Sequence, residues 1–255
     1  MTAEPAPDRP HRHRTAGGLI VASYNIHKGV GTDLRRDPER TLAVLREIDA
    51  DLVALQEVDR RFGDRAGVLD LARLADETGL EPVLLDRSLG ARAAGWHGNL
   101  LLVRGARVES AQALTLPGLE PRGAIVADLR FGDRPLRVIA AHLGLLRRSR
   151  LAQARRLAAE IGGLDDRPTL MMGDLNEWRI GPGCGLMPLR RGLGTLPRPA
   201  ASSPSFPAQF PVLALDRILA CRRAELTEPR PHISPLARRA SDHLPLVAEL
   251  SLGPL

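Results

Sequence analysis

A chain of 255 residues with 44% apolar and 26% charged residues can bury a core of ordinary size, which excludes a disordered or fibrous protein. The formal charge of +6 would suit an anionic partner. However, arginines are spread along the whole chain and Lys28 is its only lysine, so the charge does not mark one nucleic-acid-binding face. Aromatic residues make up only 3% of the sequence, which argues against long stacking platforms for single-stranded nucleic acid.

The N-terminal residues 1–17 are rich in proline, arginine and histidine, and we expect a disordered tail there, followed by a single domain over residues 18–255. This segment lacks the apolar core of a signal peptide, and no stretch approaches the ~20 apolar residues of a transmembrane segment. We therefore expect a cytoplasmic protein. Cys184 and Cys221 have neither zinc-site nor redox-motif spacing, which predicts two inert thiols.

The first part of the chain alternates strand and helix patterns. The apolar segment GLIVASYNI predicts a buried strand, and DLVALQEVD predicts a second one. Between them, RRDPERTLAVLREIDA predicts a helix with Asp37 as its N-cap and Pro38 at its first position. GVLDLARLADETGLE predicts a second helix that ends at Gly79.

The rest of the chain predicts several strands in succession, at residues 82–85, 99–103, 107–115, 123–130 and 136–142. The short polar turns between them favour antiparallel or mixed pairing over a purely parallel sheet. LRRSRLAQARRLAAEIGG predicts a third helix whose arginines face outwards, and RPTLMMGDLNEW, PVLALDRILA and LPLVAELSL predict further strands. The glycine- and proline-rich stretch from Arg179 to Pro211 predicts a long irregular loop that helps to shape a substrate pocket.

Side chains with ligand or acid–base chemistry recur at the ends of these apolar segments. If the strands belong to packed sheets, their ends can converge on one rim, where sites are commonly built. Asp216 lies within the apolar segment LALDRIL, so it needs a partner, and a histidine from elsewhere in the chain would serve. Each position taken alone could equally be a solvated loop acid, a turn cap or a core histidine. The positions are Asn25, Glu57, His142, Asp174, Asn176, Asp216, Asp242 and His243.

This mixture of acids, amides and histidines suits phosphoester hydrolysis. Mg²⁺ prefers oxygen ligands, and hydrolysis also needs an activated water and donors to the phosphate oxygens. Zinc is less favoured, because the sequence has no closely spaced His or Cys pair of the zinc-binding kind. An ordinary nucleotide-binding protein finds no support either, since there is no P-loop and no G-x-G-x-x-G after a strand.

A set of motifs occurs in the order seen in the endonuclease/exonuclease/phosphatase superfamily: YNIHKG, LQEVD, GNLLLV, AAHLGL, MMGDLNE, LDRIL and SDHLPL. Over residues 19–252 the chain resembles a small bacterial branch of this superfamily, which includes pancreatic-type deoxyribonucleases and neutral sphingomyelinases. The resemblance implies an α/β fold, a four-layer αββα sandwich of two mixed β-sheets flanked by helices. It also implies a phosphoesterase that depends on Mg²⁺ or Mn²⁺.

The resemblance further implies which residues bind the metal. Glu57 corresponds to the main metal-ligand glutamate, with Asn25 beside it. Asp242 corresponds to a further ligand or a contact to metal-bound water. His27 stands where some members have an acid or an amide. Asn99, in the motif GNLLLV, is implied to help to bind the substrate.

Catalytic roles follow from the same resemblance. Asp174 resembles the aspartate that orients or deprotonates the attacking water, and Asn176 resembles the amide that binds the phosphate. His142 resembles a histidine that donates to a phosphate oxygen. His243 resembles a second histidine, a general base or transition-state stabiliser, whose tautomer Asp216 would fix.

The resemblance leaves two substrate classes open. A phosphodiesterase or phosphatase acting on a lipid head group or a small molecule is favoured, and a DNA or RNA endo- or exonuclease is the alternative. Abasic-site endonucleases have a tyrosine at the position of His142, which argues against that activity. A binding module without catalysis is disfavoured, because every expected catalytic residue type is present.

Overall fold

The computed structural model describes residues 18–60, 64–162, 167–179, 181–194 and 203–252. The predicted disordered tail, residues 1–17, lies outside these ranges. The strands are β1 Leu19–Asn25, β2 Leu52–Gln56, β3 Glu81–Pro82, β4 Leu100–Val103, β5 Arg107–Leu116, β6 Arg122–Phe131, β7 Arg134–Ala141, β8 Thr169–Asp174, β9 Asp216–Ala220, β10 Ala224–Leu226, β11 Arg230–Pro231 and β12 Leu246–Leu252. The helices are α1 Pro38–Ile48, α2 Leu71–Thr78, α3 Arg147–Gly162, α4 Met187–Gly192 and α5 Pro235–Ala240.

These strands form two mixed sheets. The first sheet has seven strands, in the order β10-β12-β1-β2-β4-β3, with β11 also paired to β12. The second sheet has five strands, in the order β5-β6-β7-β8-β9. Each sheet contains a parallel pair, β1 with β2 and β7 with β8, among antiparallel neighbours. The prediction of mixed pairing is therefore confirmed.

The alternation of side chains along β1 shows how the layers are stacked. Val21 points into a core between the two sheets, where it packs in one cluster with Val138 of β7. Tyr24 points to the other face and packs in a cluster with Leu45 of α1, because successive side chains of a strand face opposite ways. Helices α3 and α4 cover the outer face of the second sheet in the same manner. The predicted four-layer αββα sandwich is confirmed.

The ends of the first two helices test the predicted caps. Pro38 begins α1, and Gly79 ends α2 with a left-handed φ of 70° that favours glycine. Asp37 makes no side-chain capping hydrogen bond, because its carboxylate lies 3.0 Å from Arg40 Nε instead. The prediction that Asp37 occupies the N-cap position of α1 is confirmed, but its side chain makes no capping hydrogen bond.

The stretch predicted as a long irregular loop, residues 179–211, is partly helical. A 3-10 turn spans Gly181–Gly183, and α4 follows it. Leu189 of α4 is fully buried and packs in one cluster with Leu157 of α3. Proline in the first turn of a helix gives up no hydrogen bond, so Pro188 is compatible with α4. Residues 195–202 of this stretch lie outside the described ranges.

The prediction that the arginines of the third helix face outwards is wrong for Arg150. Its side chain is only 1% exposed, and its Nε lies 3.5 Å from Glu177 Oε2. Arg150 Nη1 also donates to the Gly144 carbonyl at 3.1 Å, and Glu177 accepts a hydrogen bond from the Gly185 N–H at 2.8 Å. This buried ion pair joins α3 to the loops that follow β7 and β8.

Replacing Arg150 with methionine is expected to lower the free energy of unfolding by about 3–5 kcal/mol, because the buried Glu177 carboxylate would lose this cation. Urea denaturation measures the change. Arg155→Met is the matched control: Arg155 is exposed on the same helix, and its loss should cost within about 0.5 kcal/mol. Equal costs for the two variants would show that the ion pair contributes nothing to stability.

Two further observations concern the cysteines and the helices. Cys184 and Cys221 are unpaired thiols, as the sequence predicts. Across the described ranges, no helix combines the length and apolar character needed to cross a membrane.

Candidate active site

The ends of four strands carry predicted site residues to one edge of the sandwich. Asn25 ends β1, and Glu57 directly follows β2, its parallel neighbour. His142 directly follows β7, and Asp174 ends β8, again a parallel pair. Parallel strands end at the same edge of their sheet, so each pair brings two polar side chains together.

Gly173 allows β7 and β8 to approach closely just before the site. Its φ is +153°, and a Cβ atom there would lie 1.8 Å from the Ala141 carbonyl oxygen. One residue further on, the Leu143 N–H donates to the Asp174 carbonyl at 3.0 Å. Only glycine fits this position, and its close approach sets Asp174 beside His142.

Asp174 is the hub of the cluster. Its Oδ2 accepts a hydrogen bond from Asn25 Nδ2 at 3.0 Å, and its Oδ1 accepts one from the Asn176 N–H at 3.0 Å. The same Oδ2 lies 3.4 Å from His142 Nε2 and 3.8 Å from His243 Nε2. Two imidazoles and two asparagines therefore surround one buried carboxylate.

Asp216 and His243 form the pair that the sequence predicts. His243 Nδ1 lies 2.8 Å from Asp216 Oδ2, which also accepts a hydrogen bond from Ser205 Oγ. Burial alone would lower the pKa of His243, but the charge and hydrogen bond of Asp216, with Asp174 beyond, raise that pKa to about 10. His243 is therefore cationic at neutral pH.

His142 has the opposite electrostatic character. Burial is the largest influence and lowers the pKa of His142 to about 4, although the negative charge of Asp174 opposes it. His142 is therefore neutral at neutral pH, whereas His243 carries a proton on both ring nitrogens. When the surroundings shift the pKa values of two groups in opposite directions, one group can act as an acid while the other cannot.

Glu57 and Asp242 lie on either side of the 3-10 turn His27–Gly29. The Lys28 ammonium contacts the Glu57 carboxylate, and His27 Nδ1 lies 3.7 Å from Asp242 Oδ1. Burial alone would raise the pKa of Glu57. The interaction with protonated His142, and then the contact with Lys28 and the interaction with His27, outweigh burial and lower that pKa to about 2. Glu57 is thus an anion at neutral pH, and the Lys28 ammonium is the cation in contact with it.

The two remaining asparagines, Asn176 and Asn99, differ in how many hydrogen bonds their side-chain amides already donate. Asn176 has a left-handed φ of 51°, and its Nδ2 donates one hydrogen to the Leu143 carbonyl at 3.0 Å, which leaves the other hydrogen available. Asn99 is fully buried, and its Nδ2 donates to the carbonyls of Trp96 and Gly123, each at 3.0 Å. Asn99 therefore links the turn before β4 to β6 of the second sheet, and its contact with substrate stays a prediction.

One group of residues in the described part of the chain brings metal-ligand atoms together. Ligand atoms of Asp174, Asp216 and His243 lie within 4.8 Å of one another. An ion among them would compete with the hydrogen bond between His243 and Asp216. The predicted oxygen ligands Glu57, Asn25 and Asp242 would leave that bond intact and suit a hard divalent cation, although Asn25 Oδ1 accepts a hydrogen bond from the His27 N–H at 3.0 Å. Their joint role as metal ligands stays a prediction.

Three residues that support the site are not among those predicted from the sequence. Lys28 contacts Glu57, Ser205 donates to Asp216, and Ser241 Oγ donates to the Asn25 carbonyl at 2.7 Å. The last bond holds the segment of Asp242 beside β1. Only Lys28 had a visible signal, since it is the single lysine of the chain.

Comparisons with known proteins agree with this fold. The Endonuclease/Exonuclease/phosphatase family matches residues 22–243. Protein YbhP of Escherichia coli is 33% identical over 248 residues, which cover 91% of this chain and 96% of that protein. An endonuclease/exonuclease/phosphatase from Beutenbergia cavernae has 23% identity and a TM-score of 0.67, covering 93% of this chain and 72% of that one. The human Nocturnin catalytic domain with a bound sulfate anion has 18% identity and a TM-score of 0.67, covering 94% and 96%.

The chain therefore belongs to the endonuclease/exonuclease/phosphatase family. This family includes metal-dependent phosphoesterases and nucleases, and its members are generally hydrolases of phosphoesters. They typically depend on a divalent metal, and the cluster described above offers acidic and histidine ligands for one.

Proposed function

We propose that the protein is a divalent-metal-dependent phosphoesterase that hydrolyses a P–O bond by in-line attack of water. The observation that carries this proposal is the position of the Asp174 carboxylate, 3.4 Å from His142 Nε2 and 3.8 Å from His243 Nε2. A carboxylate between a neutral and a cationic imidazole can accept a proton from water beside groups that stabilise a phosphate.

The proposed metal ligands are Glu57, Asn25 and Asp242, and the ion is Mg²⁺ or Mn²⁺. Their oxygen donors suit such a cation, and the contact of the Lys28 ammonium with the Glu57 carboxylate supports a role for Glu57 in binding positive charge. When bound, the ion would polarise the phosphoryl group and neutralise part of its charge.

The remaining residues activate the attacking water and donate hydrogen bonds to the phosphate. Asp174 orients the water and takes its proton as the water oxygen bonds to phosphorus and the leaving group departs. Cationic His243 and the free amide hydrogen of Asn176 donate to non-bridging oxygens. Neutral His142 can donate through one ring nitrogen without adding charge. Asp216 keeps His243 protonated and oriented.

Hydrolysis of bis-p-nitrophenyl phosphate in Mn²⁺ tests this proposal. Removal of the metal with EDTA should abolish the activity. Glu57→Ala and His243→Ala should each lower kcat/KM by at least about 100-fold, because the first loses a metal ligand and the second a phosphate donor. Glu225→Ala and His232→Ala are the matched controls, since Glu225 is exposed on β10 and His232 pairs with Glu47. Wild-type rates in both site variants would contradict the site assignment.

The favoured substrate is a small or lipid phosphoester, and a nucleic acid is the alternative. A nuclease that neutralises several phosphates should lose affinity steeply as the salt concentration rises, whereas an enzyme for a small ester should not. The scarcity of aromatic residues, 3% of the chain, favours the small ester. Binding of a single-stranded oligonucleotide at two salt concentrations separates these substrate classes.

A further inference from the structure

Lys28 occupies an unusual position beside the proposed metal ligands. It lies in the turn that follows β1, and its backbone has a left-handed φ of 58°, which non-glycine residues adopt rarely. Its ammonium contacts the Glu57 carboxylate, and the two side chains are 28% and 24% exposed. A strained backbone that aims a cation at a proposed metal ligand suggests a functional constraint.

The choice of lysine at this position is informative. The chain contains 36 lysine and arginine residues, and Lys28 is the only lysine among them. The chain uses arginine at every other basic position of this kind, and only position 28 has a lysine. An arginine fork binds a carboxylate through two fixed hydrogen bonds, whereas a lysine ammonium is a compact charge on a flexible stem. A lysine is therefore the cation that can more easily leave a carboxylate.

We infer that Lys28 is a built-in counter-ion for Glu57, which a divalent cation displaces when it binds to that carboxylate. The inference rests on the proposed function, since it takes Glu57 to be a metal ligand. The ammonium and the ion cannot share the same carboxylate oxygen, so binding of one must move the other. Displacement then frees a positive charge near the place where the phosphate would bind.

The contact between Lys28 and Glu57 stabilises the protein when no metal is bound. A largely buried carboxylate without a partner is costly, and so Glu57 needs a cation when no metal is present. Lys28, His27 and His142 face Glu57 in the described part of the chain, and His142 is neutral at neutral pH. Of these, Lys28 makes the direct contact.

The single lysine gives a direct spectroscopic test. Reductive methylation with ¹³C-formaldehyde labels Lys28 and the N-terminal amine and preserves their charges. The dimethyl-lysine NMR signal should shift as Mg²⁺ is added to the full chain, while the N-terminal signal serves as an internal reference. In Glu57→Gln, the Lys28 signal should not respond to Mg²⁺, and Lys28→Met assigns the signal by its absence.

Metal affinity provides a second readout that does not depend on activity. Free Mn²⁺, counted by electron paramagnetic resonance, should show roughly three- to tenfold tighter binding to Lys28→Met than to wild type, because a competing cation is gone. Arg36→Met is the matched control, as Arg36 is exposed on the segment after the same turn. It removes the same net charge and should leave the affinity nearly unchanged.

The outcomes separate this inference from the proposed function. If Mg²⁺ binds and Glu57→Gln abolishes binding, but the Lys28 signal stays still, then Lys28 is not displaced and only the inference fails. Unchanged or weaker Mn²⁺ binding by Lys28→Met would also overturn it. If Glu57→Gln binds the metal as tightly as wild type, then the metal site itself is misassigned, and both proposals fail.

Discussion

Replacing Asp174 with asparagine is expected to lower kcat/KM for a phosphodiester by about 1000-fold or more, the largest loss of any single conservative change in the site. An amide cannot accept the proton of the attacking water. It also places an N–H group among hydrogen-bond donors, because Asn25 Nδ2 and the Asn176 N–H both donate to this carboxylate. Steady-state hydrolysis of bis-p-nitrophenyl phosphate in saturating Mn²⁺ measures the effect.

The interpretation requires that the variant remains folded. Asp76→Asn, an exposed position on α2, is the control for the same chemical change and should leave kcat/KM within a factor of about two. The melting temperature of each variant shows whether a loss of activity is a loss of fold. A folded Asp174→Asn enzyme that keeps more than a tenth of the wild-type activity would rule out Asp174 as the residue that takes the proton.

Much of the site could be predicted because its residues lie at strand ends, and strand ends follow from apolar patterning. Asp216 shows this best. A carboxylate within an apolar segment has to be buried and therefore needs a partner, and His243 lies 2.8 Å away. The physical argument asked only for a histidine from elsewhere in the chain, and the resemblance named His243 as that partner.

Other features could not be predicted, because no local pattern marks them. The arginine-rich α3 has one buried arginine, and only the tertiary contact with Glu177 distinguishes Arg150 from its exposed neighbours. A left-handed backbone conformation also leaves no pattern in the sequence unless the residue is a glycine. Glu57 and Asn176 adopt this conformation, with φ of 58° and 51°. Helix α4 could not be predicted because glycines and prolines surround it, and those residues indicate a loop. Its stability comes from packing against α3, which the local sequence does not show.

Replacing Asp216 with asparagine should lower kcat by about 100-fold or more while leaving the metal ligands in place. The amide side chain would retain the size of the carboxylate but remove the negative charge that keeps His243 protonated and oriented toward Asp174. Hydrolysis of bis-p-nitrophenyl phosphate with Mn²⁺ gives the activity. Mn²⁺ affinity, measured separately, should be nearly unchanged, and a large loss of affinity would instead indicate that Asp216 is itself a ligand.

The stability of the same variant without metal should show an independent effect of pH. His243 has a pKa of about 10 in the folded protein against an ordinary value of 6.5, so its contribution to stability is fully present below pH 6.5. Between these values the folded state binds more protons, and the free energy of unfolding falls as pH rises, by about 1.4 kcal/mol per pH unit at most. Urea denaturation between pH 7 and about 9.5 should therefore show a decline in wild type that is shallower in Asp216→Asn. The difference between the two profiles removes every contribution that the two proteins share. Parallel pH profiles would mean that Asp216 does not set the protonation of His243, and the cationic donor would then have to be abandoned as part of the catalytic site.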